Sequence, residues 1–153
     1  TARGVRGINL DEGDDVIGVE IPASGTFMLT VSENGFGKCT PIEEYRVQTR
    51  GGKGTMNLKT VPKVGNVSGV LQVTGEENIM LISNAGKVIR LKVQEVPVNH
   101  RVTQGVKLIE LDPEEKLVGV ARTTSEGEDK DEGTNGNGMD EADSEPAPEE
   151  TEE

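Results

Sequence analysis

The sequence predicts an all-β protein built as a propeller-like array of four-stranded blades, because three patterns recur in it about fifty residues apart. The first pattern is a hairpin, the second is a short apolar strand with an internal glycine, and the third is an arginine followed by glycines. Val, Ile and Thr are frequent and 20 of the 153 residues are glycine, which favours strands and turns over helices.

The hairpin pattern is T-F-M-L-T-V-S-E-N-G-F-G-K at residues 26–38, and it recurs in shortened form as N-I-M-L-I-S-N-A-G-K at residues 78–87. Asn34-Gly35 stands between two apolar alternating runs, which is a strong signal of a two-residue hairpin turn. Gly86 takes the place of Gly35 in the second copy. Each copy therefore predicts two antiparallel strands joined by a tight turn.

The strand pattern is V-I-G-V at residues 16–19, and it recurs as V-S-G-V at 67–70 and as L-V-G-V at 117–120. Because these recurrences keep step with those of the hairpin, the sequence is divided into blade repeats and a tail. The predicted divisions are a first blade repeat that need not be complete (1–50), a second blade repeat (51–101), the closing strands of the last blade (102–122) and a disordered acidic tail (123–153).

The excess of acidic over basic residues is confined to the tail. The formal net charge is −12, yet residues 1–122 carry as many Lys and Arg as Asp and Glu, so the whole excess lies in residues 123–153. Met139 is the only large apolar residue of this segment, which therefore cannot bury enough surface to offset its ordering entropy. We predict that the tail either keeps the protein soluble or competes with a polyanion for basic groups of the body.

No targeting or membrane segment is predicted. Apolar runs stay well below the roughly 18 residues that a membrane span needs, and no signal-peptide pattern is present. Cys39 is the only cysteine and cannot form an intramolecular disulfide, which favours a reducing cytoplasm. Because the chain begins at Thr1 rather than Met, we expect an excised or processed segment.

The third pattern is Arg-x-x-(Lys, Arg or Gln)-Gly followed by a short alternating strand. It occurs as R-G-V-R-G at residues 3–7, as R-G-G-K-G at 50–54 and as R-V-T-Q-G at 101–105. We call these the first, second and third motifs. An arginine that returns at the same point of every repeat predicts one basic edge. The predicted binding residues are Arg3, Arg6, Gln48, Thr49, Arg50, Gly51, Gly52, Lys53, Gly54 and Arg101.

The second motif combines two devices that bind anions. Glycine-rich turns can present backbone N–H groups in a concave nest, and flanking cations add charge-assisted hydrogen bonds. A nucleotide P-loop is excluded, because Lys53 is followed by Gly54 and the required upstream glycine is missing. The alternative interpretation is that the motifs are ordinary turns between blades.

The aromatic content favours duplex DNA over single strands or RNA, which are bound by stacking bases on aromatic rings. This chain has only Phe27, Phe36 and Tyr45 and no tryptophan. Bending 20–30 bp of duplex costs of order 1–6 kcal/mol, which several phosphate contacts can offset. The sequence therefore predicts a duplex held by its phosphates, and the alternative from another class is a propeller-type protein-interaction scaffold.

The stretch Q-T-R-G-G-K-G at residues 48–54 resembles the A-box, Q-(R/K)-R-G-G-(R/K)-G, of the gyrase A C-terminal domain family. T-A-R-G-V-R-G-I-N-L, S-E-N-G-F-G-K-C-T-P-I-E-E-Y and T-Q-G-V-K-L-I are similar to the same family, as is the acidic tail. By this resemblance residues 48–54 correspond to the box. Thr49 stands where the family has a basic residue, so one phosphate contact is missing.

The resemblance implies a β-pinwheel of about six four-stranded blades that exchange strands, of which this chain would be the last third to half. It also implies that double-stranded DNA wraps around the basic edge, so that the parent ATP-dependent type II topoisomerase, DNA gyrase, introduces negative supercoils. The implied partners are DNA, the remainder of the gyrase A polypeptide and the gyrase B polypeptide, as an A2B2 assembly in the bacterial cytoplasm and nucleoid. ATP and Mg²⁺ would serve the holoenzyme, with no cofactor in this fragment. Topoisomerase IV shares the fold but degrades the box, so the intact R-G-G-K-G favours gyrase.

Side chains that could carry chemistry are interpreted as structural. Tyr45 is the only tyrosine, but it corresponds to Val96 in the next repeat, which indicates a packing position. His100 has no second ligand at metal-binding spacing, and Cys39 has no neighbouring base. The stretch D-E-G-D-D at residues 11–15 lacks the glutamate that closes a calcium loop. We therefore predict neither a catalytic residue nor a metal site.

Overall fold

The computed structural model describes residues 2–123, which form seven β-strands and two 3-10 helices. The strands are β1 (Phe27–Ser32), β2 (Phe36–Pro41), β3 (Val67–Val73), β4 (Asn78–Ser83), β5 (Val88–Lys92), β6 (Val106–Lys107) and β7 (Leu117–Thr123). The 3-10 helices are Ile42–Glu44 and Val93–Glu95. Within residues 2–123, no helix is long and apolar enough to span a bilayer.

The strands form two antiparallel sheets. The first has the order β3-β1-β2-β6 and the second has the order β5-β4-β7. This nearly all-β architecture of small sheets confirms the predicted fold class. The predicted acidic tail, apart from Thr123 at the end of β7, lies outside the described residues.

The two hairpin turns share their backbone pattern. The N–H of Gly35 donates to Ser32 O at 3.0 Å, and the N–H of Gly86 donates to Ser83 O at 3.1 Å. Gly35 and Gly86 have φ of 82° and 84°. The first connection therefore contains three residues, 33–35, because a turn centred on Glu33-Asn34 needs a left-handed residue to re-enter the strand. The predicted two-residue Asn-Gly turn is wrong in this respect.

The glycine-containing strand pattern supplies the outer strand of each sheet. β3 pairs with β1, with Val31 opposite Gly69, and β7 pairs with β4, with Ile82 opposite Gly119. Both pairings change register directly after this position. Each sheet thus combines a hairpin with the outer strand that follows about forty residues later. The predicted repeat boundaries therefore divide the sequence into periods and do not mark the limits of the sheets.

The glycine of the strand pattern lets successive outer strands pack closely. A Cβ on Gly18 would lie 2.9 Å from Val70 Cγ2, and a Cβ on Gly69 would lie 2.8 Å from Val120 Cγ1. Glycine in a strand often marks such a close approach. Residues 16–19 join this stack, although they belong to no strand of the described part of the chain.

The apolar core joins both sheets in a single cluster of buried residues. Ile79 and Leu81 of β4 alternate with less buried residues, which is the pattern of a strand with one face on a core. Leu29 and Val31 of β1 also belong to the core, but Thr30 and Ser32 between and after them are equally buried, so both faces of β1 are covered. The cluster also contains Cys39, Val73, Val93, Val96, Ile109 and Leu117. The core therefore holds the two sheets together and leaves the three motifs outside it.

A buried carboxylate ties the loop before β7 to the second hairpin. Glu115 is 5% exposed and accepts hydrogen bonds from Lys87 Nζ at 2.8 Å, from the Ser83 hydroxyl and from the N–H of Asp112 at 3.1 Å. The hydrogen bonds from Lys87, Ser83 and Asp112, in that order, lower the pKa of Glu115 from 4.5 to about 2. The folded protein therefore favours the ionised carboxylate.

We expect the Glu115→Gln variant to be less stable than the wild type at neutral pH and less sensitive to acid. Because the folded pKa lies below the unfolded one, the stabilisation is present above pH 4.5 and is lost as the pH falls toward about 2. Denaturant midpoints measured from about pH 6 to about pH 3 should fall more steeply for the wild type. Parallel curves would contradict this role of Glu115.

Candidate nucleic-acid interface

The second and third motifs follow equivalent elements. Each hairpin ends in a 3-10 turn, which is closed by the N–H of Tyr45 donating to Ile42 O in one case and by the N–H of Val96 donating to Val93 O in the other, both at 3.0 Å. Tyr45 and Val96 are both extended. The same local route therefore leads the chain out of each sheet toward a motif.

The first and second motifs lie side by side. The N–H of Gly51 donates to Gly7 O, and the N–H of Asn9 donates to Gly52 O, both at 2.8 Å. Ile8 and Gly52 form a parallel bridge. The segment that leaves the first motif thus runs along the body of the second.

The second and third motifs are joined in the same way. Leu58 and Thr103 form a parallel bridge, and the N–H of Lys59 donates to Thr103 O at 2.9 Å. The exit of the third motif, β6, pairs with β2. The three motifs therefore stand in series, each attached to the next by backbone pairing.

The backbone conformation of the motifs accounts for four of their six glycines. Gly4 and Gly51, directly after a motif arginine, both have φ of 74°, whereas Gly54 and Gly105, at the last motif position, have φ of 80° and 70°. Residues with a side chain adopt such angles rarely. The N–H of Gly51 is occupied by Gly7 O, so this amide is not available to the predicted anion nest.

A hollow of about 280 Å³ lies beside the second motif. Gln48, Thr49, Arg50 and Arg46 line it, together with Gly7, Ile8, Gly52 and Gly54. Arg46 is missing from the residues that the sequence predicted. It stands two residues before Gln48 and four before Arg50, so the two-residue period of an extended chain could have identified it. Two arginines therefore border one hollow.

The cations of the first and second motifs are accessible to solvent. Arg3, Arg6, Arg50 and Lys53 are all exposed. Lys53 Nζ lies 2.9 Å from Asp11 Oδ1, and the two side chains are 71% and 72% exposed. An exposed ion pair of this kind contributes about 0–1 kcal/mol. The pair with Asp11 therefore holds the Lys53 ammonium only weakly.

Arg101 differs from the other motif arginines. It is half-buried, and its Nη1 is buried without a hydrogen-bond partner among the described residues. Its backbone N–H donates to Glu44 Oε2 at 3.1 Å, and Glu44 Oε1 lies 2.6 Å from His100 Nδ1. Burial opposes ionisation of Glu44, but the hydrogen bonds from His100 and Arg101 lower its pKa. Glu44 therefore anchors the start of the third motif.

Two side chains considered for chemistry have structural surroundings. The Tyr45 hydroxyl donates to Asn57 Oδ1 at 2.6 Å, and burial raises its pKa. Cys39 is 1% exposed, and burial raises the pKa of its thiol to about 11. Deprotonation of either group is disfavoured near neutral pH, which does not suit a nucleophile.

The chain matches the family model described as DNA gyrase C-terminal domain, beta-propeller, over residues 1–23, 26–74 and 77–124. The DNA gyrase A polypeptide of Staphylococcus aureus strain NCTC 8325 / PS 47 is 42% identical over 132 residues, which are 85% of this chain and 15% of that protein. The counterpart in strain MRSA252 is 41% identical over 134 residues, with 86% and 15% covered. The chain thus spans a small part of the length of these relatives.

Solved structures agree with the fold. A DNA gyrase A C-terminal domain superposes with a TM-score of 0.62 at 28% identity, covering 64% of this chain and 33% of that chain. The C-terminal domain of a DNA topoisomerase IV superposes with a TM-score of 0.71 at 20% identity, covering 77% and 37%. The second likeness, at this identity, concerns the fold alone.

Proposed function

The chain belongs to the family of DNA gyrase C-terminal domains, and on this premise we propose that it binds duplex DNA by its phosphates and bends it along the three motifs. Duplex DNA carries one negative charge per roughly 1.7 Å of helix axis, so a row of cations meets a regular row of phosphates. Contacts of this kind position a duplex without reading its sequence.

The observation that carries the proposal is the serial pairing of the motifs. Ile8 is bridged to Gly52 and Leu58 is bridged to Thr103, so each motif is fixed against the next. Cations held at a fixed separation fit a polymer of regularly spaced phosphates better than they fit one small anion.

The side chains beside the second motif support a phosphate ligand. Arg46 and Arg50 border the same hollow, and a guanidinium can donate two parallel hydrogen bonds to one phosphate. Lys53 adds a third exposed cation beside them, whose carboxylate partner Asp11 is equally exposed. The local charge is therefore positive and open to a ligand.

The aromatic side chains do not support binding of single strands. Phe27 and Phe36 lie in the hairpin strands and are half-buried, and the Tyr45 hydroxyl is bonded to Asn57. Stacking successive bases needs exposed ring faces. Duplex DNA is therefore the nucleic acid that these residues favour.

In the parent protein, we propose, this domain serves the gyrase A polypeptide together with the gyrase B polypeptide, as an A2B2 type II topoisomerase of the bacterial cytoplasm and nucleoid. The holoenzyme would use ATP with Mg²⁺ to introduce negative supercoils. The DNA bend made by this domain would present a second DNA segment for strand passage in one preferred direction. The domain itself contributes binding energy and geometry rather than chemistry.

Two other functions would also be compatible with a propeller-like fold. A topoisomerase IV domain would share the fold, but the complete R-G-G-K-G of residues 50–54 and the 42% identity to a gyrase A polypeptide favour gyrase. A protein-interaction scaffold would use the motifs as turns only. It predicts no measurable duplex binding at ~100 mM salt, where long-range attraction is screened.

The proposal is tested by energy transfer between dyes at the two ends of a duplex of about 40 bp, well below the persistence length of about 150 bp. Addition of the wild-type protein should bring the ends closer together. A single strand of the same length should bind more weakly. Absence of binding at ~100 mM salt, or binding without a change in end-to-end distance, would contradict the proposal.

A further inference from the structure

Lys38 of β2 is a buried lysine whose role the motifs do not explain. Its side chain is fully buried, with 0% of the residue exposed. Lysine is rarely buried without an acidic partner, because removing its charge from water is costly. Among the described residues, none of the ion pairs within 4.0 Å includes Lys38.

The Lys38 ammonium is satisfied by backbone carbonyls instead. Nζ donates to Asn57 O at 2.9 Å, to His100 O at 2.6 Å and to Arg101 O. An ammonium has three N–H donors and no acceptor, so three carbonyls complete its hydrogen bonding. Burial lowers the pKa of Lys38 to about 8, an effect that Glu44 opposes and Arg101 adds to. The protonated form therefore still predominates at pH 7.

The three carbonyls lie at two different motifs. Asn57 lies three residues after the second motif, whereas His100 directly precedes the third motif and Arg101 begins it. These two segments are the ones that meet in the Leu58–Thr103 bridge. Lys38 therefore holds the junction of the second and third motifs from the sheet side.

Neighbouring polar groups reinforce this junction on both sides. Asn57 accepts from the Tyr45 hydroxyl at 2.6 Å and donates through Nδ2 to Thr30 Oγ1 at 2.7 Å. The Thr40 hydroxyl donates to Asn99 O at 2.9 Å, next to His100. Side chains of the first sheet thus form hydrogen bonds with the segment after the second motif and with the start of the third. Of these side chains, Lys38 alone bonds to both segments.

We propose that Lys38 is a positioning residue that sets the separation of the second and third motifs, so that both contact the same bent duplex. This inference rests on the proposed function. Lys38 does not touch DNA itself, because its ammonium is enclosed and its three N–H groups are engaged. It acts through the backbone of the two motifs, and its loss loosens their spacing.

The spacing is measured without DNA by spin labels on Val47→Cys, three residues before the second motif, and on Val102→Cys, within the third motif. Val47 and Val102 are 99% and 55% exposed, whereas Cys39 is 1% exposed and has a raised thiol pKa, so the label avoids it. We expect a narrow distance distribution in the wild-type background and a broader one after Lys38→Met. The Lys38→Gln variant, which keeps two donors, serves if Lys38→Met does not fold.

A matched control separates positioning from stability. Leu81→Ala removes a fully buried side chain from β4, which pairs with β5 and β7 and with neither motif, and should lower the Tm while keeping the narrow distribution. A distribution that broadens equally in Leu81→Ala, or stays narrow in both Lys38 variants, would overturn the proposal.

The effect on DNA is read from the salt dependence of duplex binding. If one motif of the Lys38→Met variant no longer contacts the duplex together with the other, the slope of log K against log[salt] should be smaller by about 0.9 per lost phosphate contact. The duplex should also be bent less. Leu81→Ala should keep the wild-type slope. If the wild type binds no duplex, the proposed function is refuted. If the wild type bends DNA and the Lys38→Met variant has the same slope and the same bend, the role of Lys38 is refuted.

Discussion

Replacing Gly105 by alanine is expected to lower the free energy of unfolding by about 2–5 kcal/mol, which combines the cost of a left-handed residue with that of overpacking. Gly105 has φ of 70°, and a Cβ there would collide with Gly37 O and lie 2.8 Å from Gly37 C. The clash is with backbone, so rotation of a side chain cannot relieve it. The measurement is chemical denaturation of the variant beside the wild type.

Gly86→Ala is the matched control for this prediction. Gly86 has φ of 84°, but a Cβ there would have no heavy atom of the described residues within 4 Å. This variant carries only the conformational cost of about 1–2 kcal/mol. Equal losses in the two variants would show that the third motif does not approach Gly37 of β2 as closely as the structure indicates.

The second large effect is expected for the double variant Arg50→Ala/Lys53→Ala, which should weaken duplex binding while leaving stability nearly unchanged. Both side chains are exposed, and among the described residues the only ion pair lost is that between Lys53 and Asp11. A surface pair contributes about 0–1 kcal/mol to folding. Each phosphate contact, by contrast, contributes about 0.9 to the salt slope of binding.

A control for charge alone is available in the second sheet. Arg90 lies on β5 and Arg122 lies on β7, and both strands pair with β4 and with none of the three motifs. Arg90→Ala/Arg122→Ala removes two positive charges, as the motif variant does. Any difference between the two double variants therefore reports position rather than net charge.

Much of the fold follows from local patterns in the sequence. The alternation of Leu29 and Val31 and the glycine at position 35 predict the first hairpin, and the same features predict the second. The predicted turn length is wrong, because the sequence does not indicate that the N–H of Gly35 donates to Ser32 O. Local signals therefore give the elements but not the details of their connections.

The arrangement of the motifs could not be predicted, because it depends on residues distant in sequence. Nothing local indicates that Gly51 donates to Gly7 O or that Leu58 pairs with Thr103. The sequence predicts an anion nest at these glycines, whereas in the structure the Gly51 amide pairs the second motif with the first. Tertiary hydrogen bonding thus decides what a glycine-rich turn presents to solvent.

The burial of Lys38 and Arg101 could not be predicted from the sequence either. Lys38 stands in a strand between Gly37 and Cys39, where lysine ordinarily points to solvent. The segment that carries Asn99 and Arg101 passes over β2 and supplies the carbonyls that keep this lysine inside. The same passage half-buries Arg101, so the three motif arginines do not have equal access to a phosphate.

The most direct test of the phosphate-binding edge is the slope of log K against log[salt] for a duplex, measured for the wild type and for the two double variants. Binding by the motifs predicts a slope that is smaller by about two in Arg50→Ala/Lys53→Ala and unchanged in Arg90→Ala/Arg122→Ala. Equal slopes in the two double variants would contradict it, because the cations beside the second motif would then contribute no more than any other surface charge.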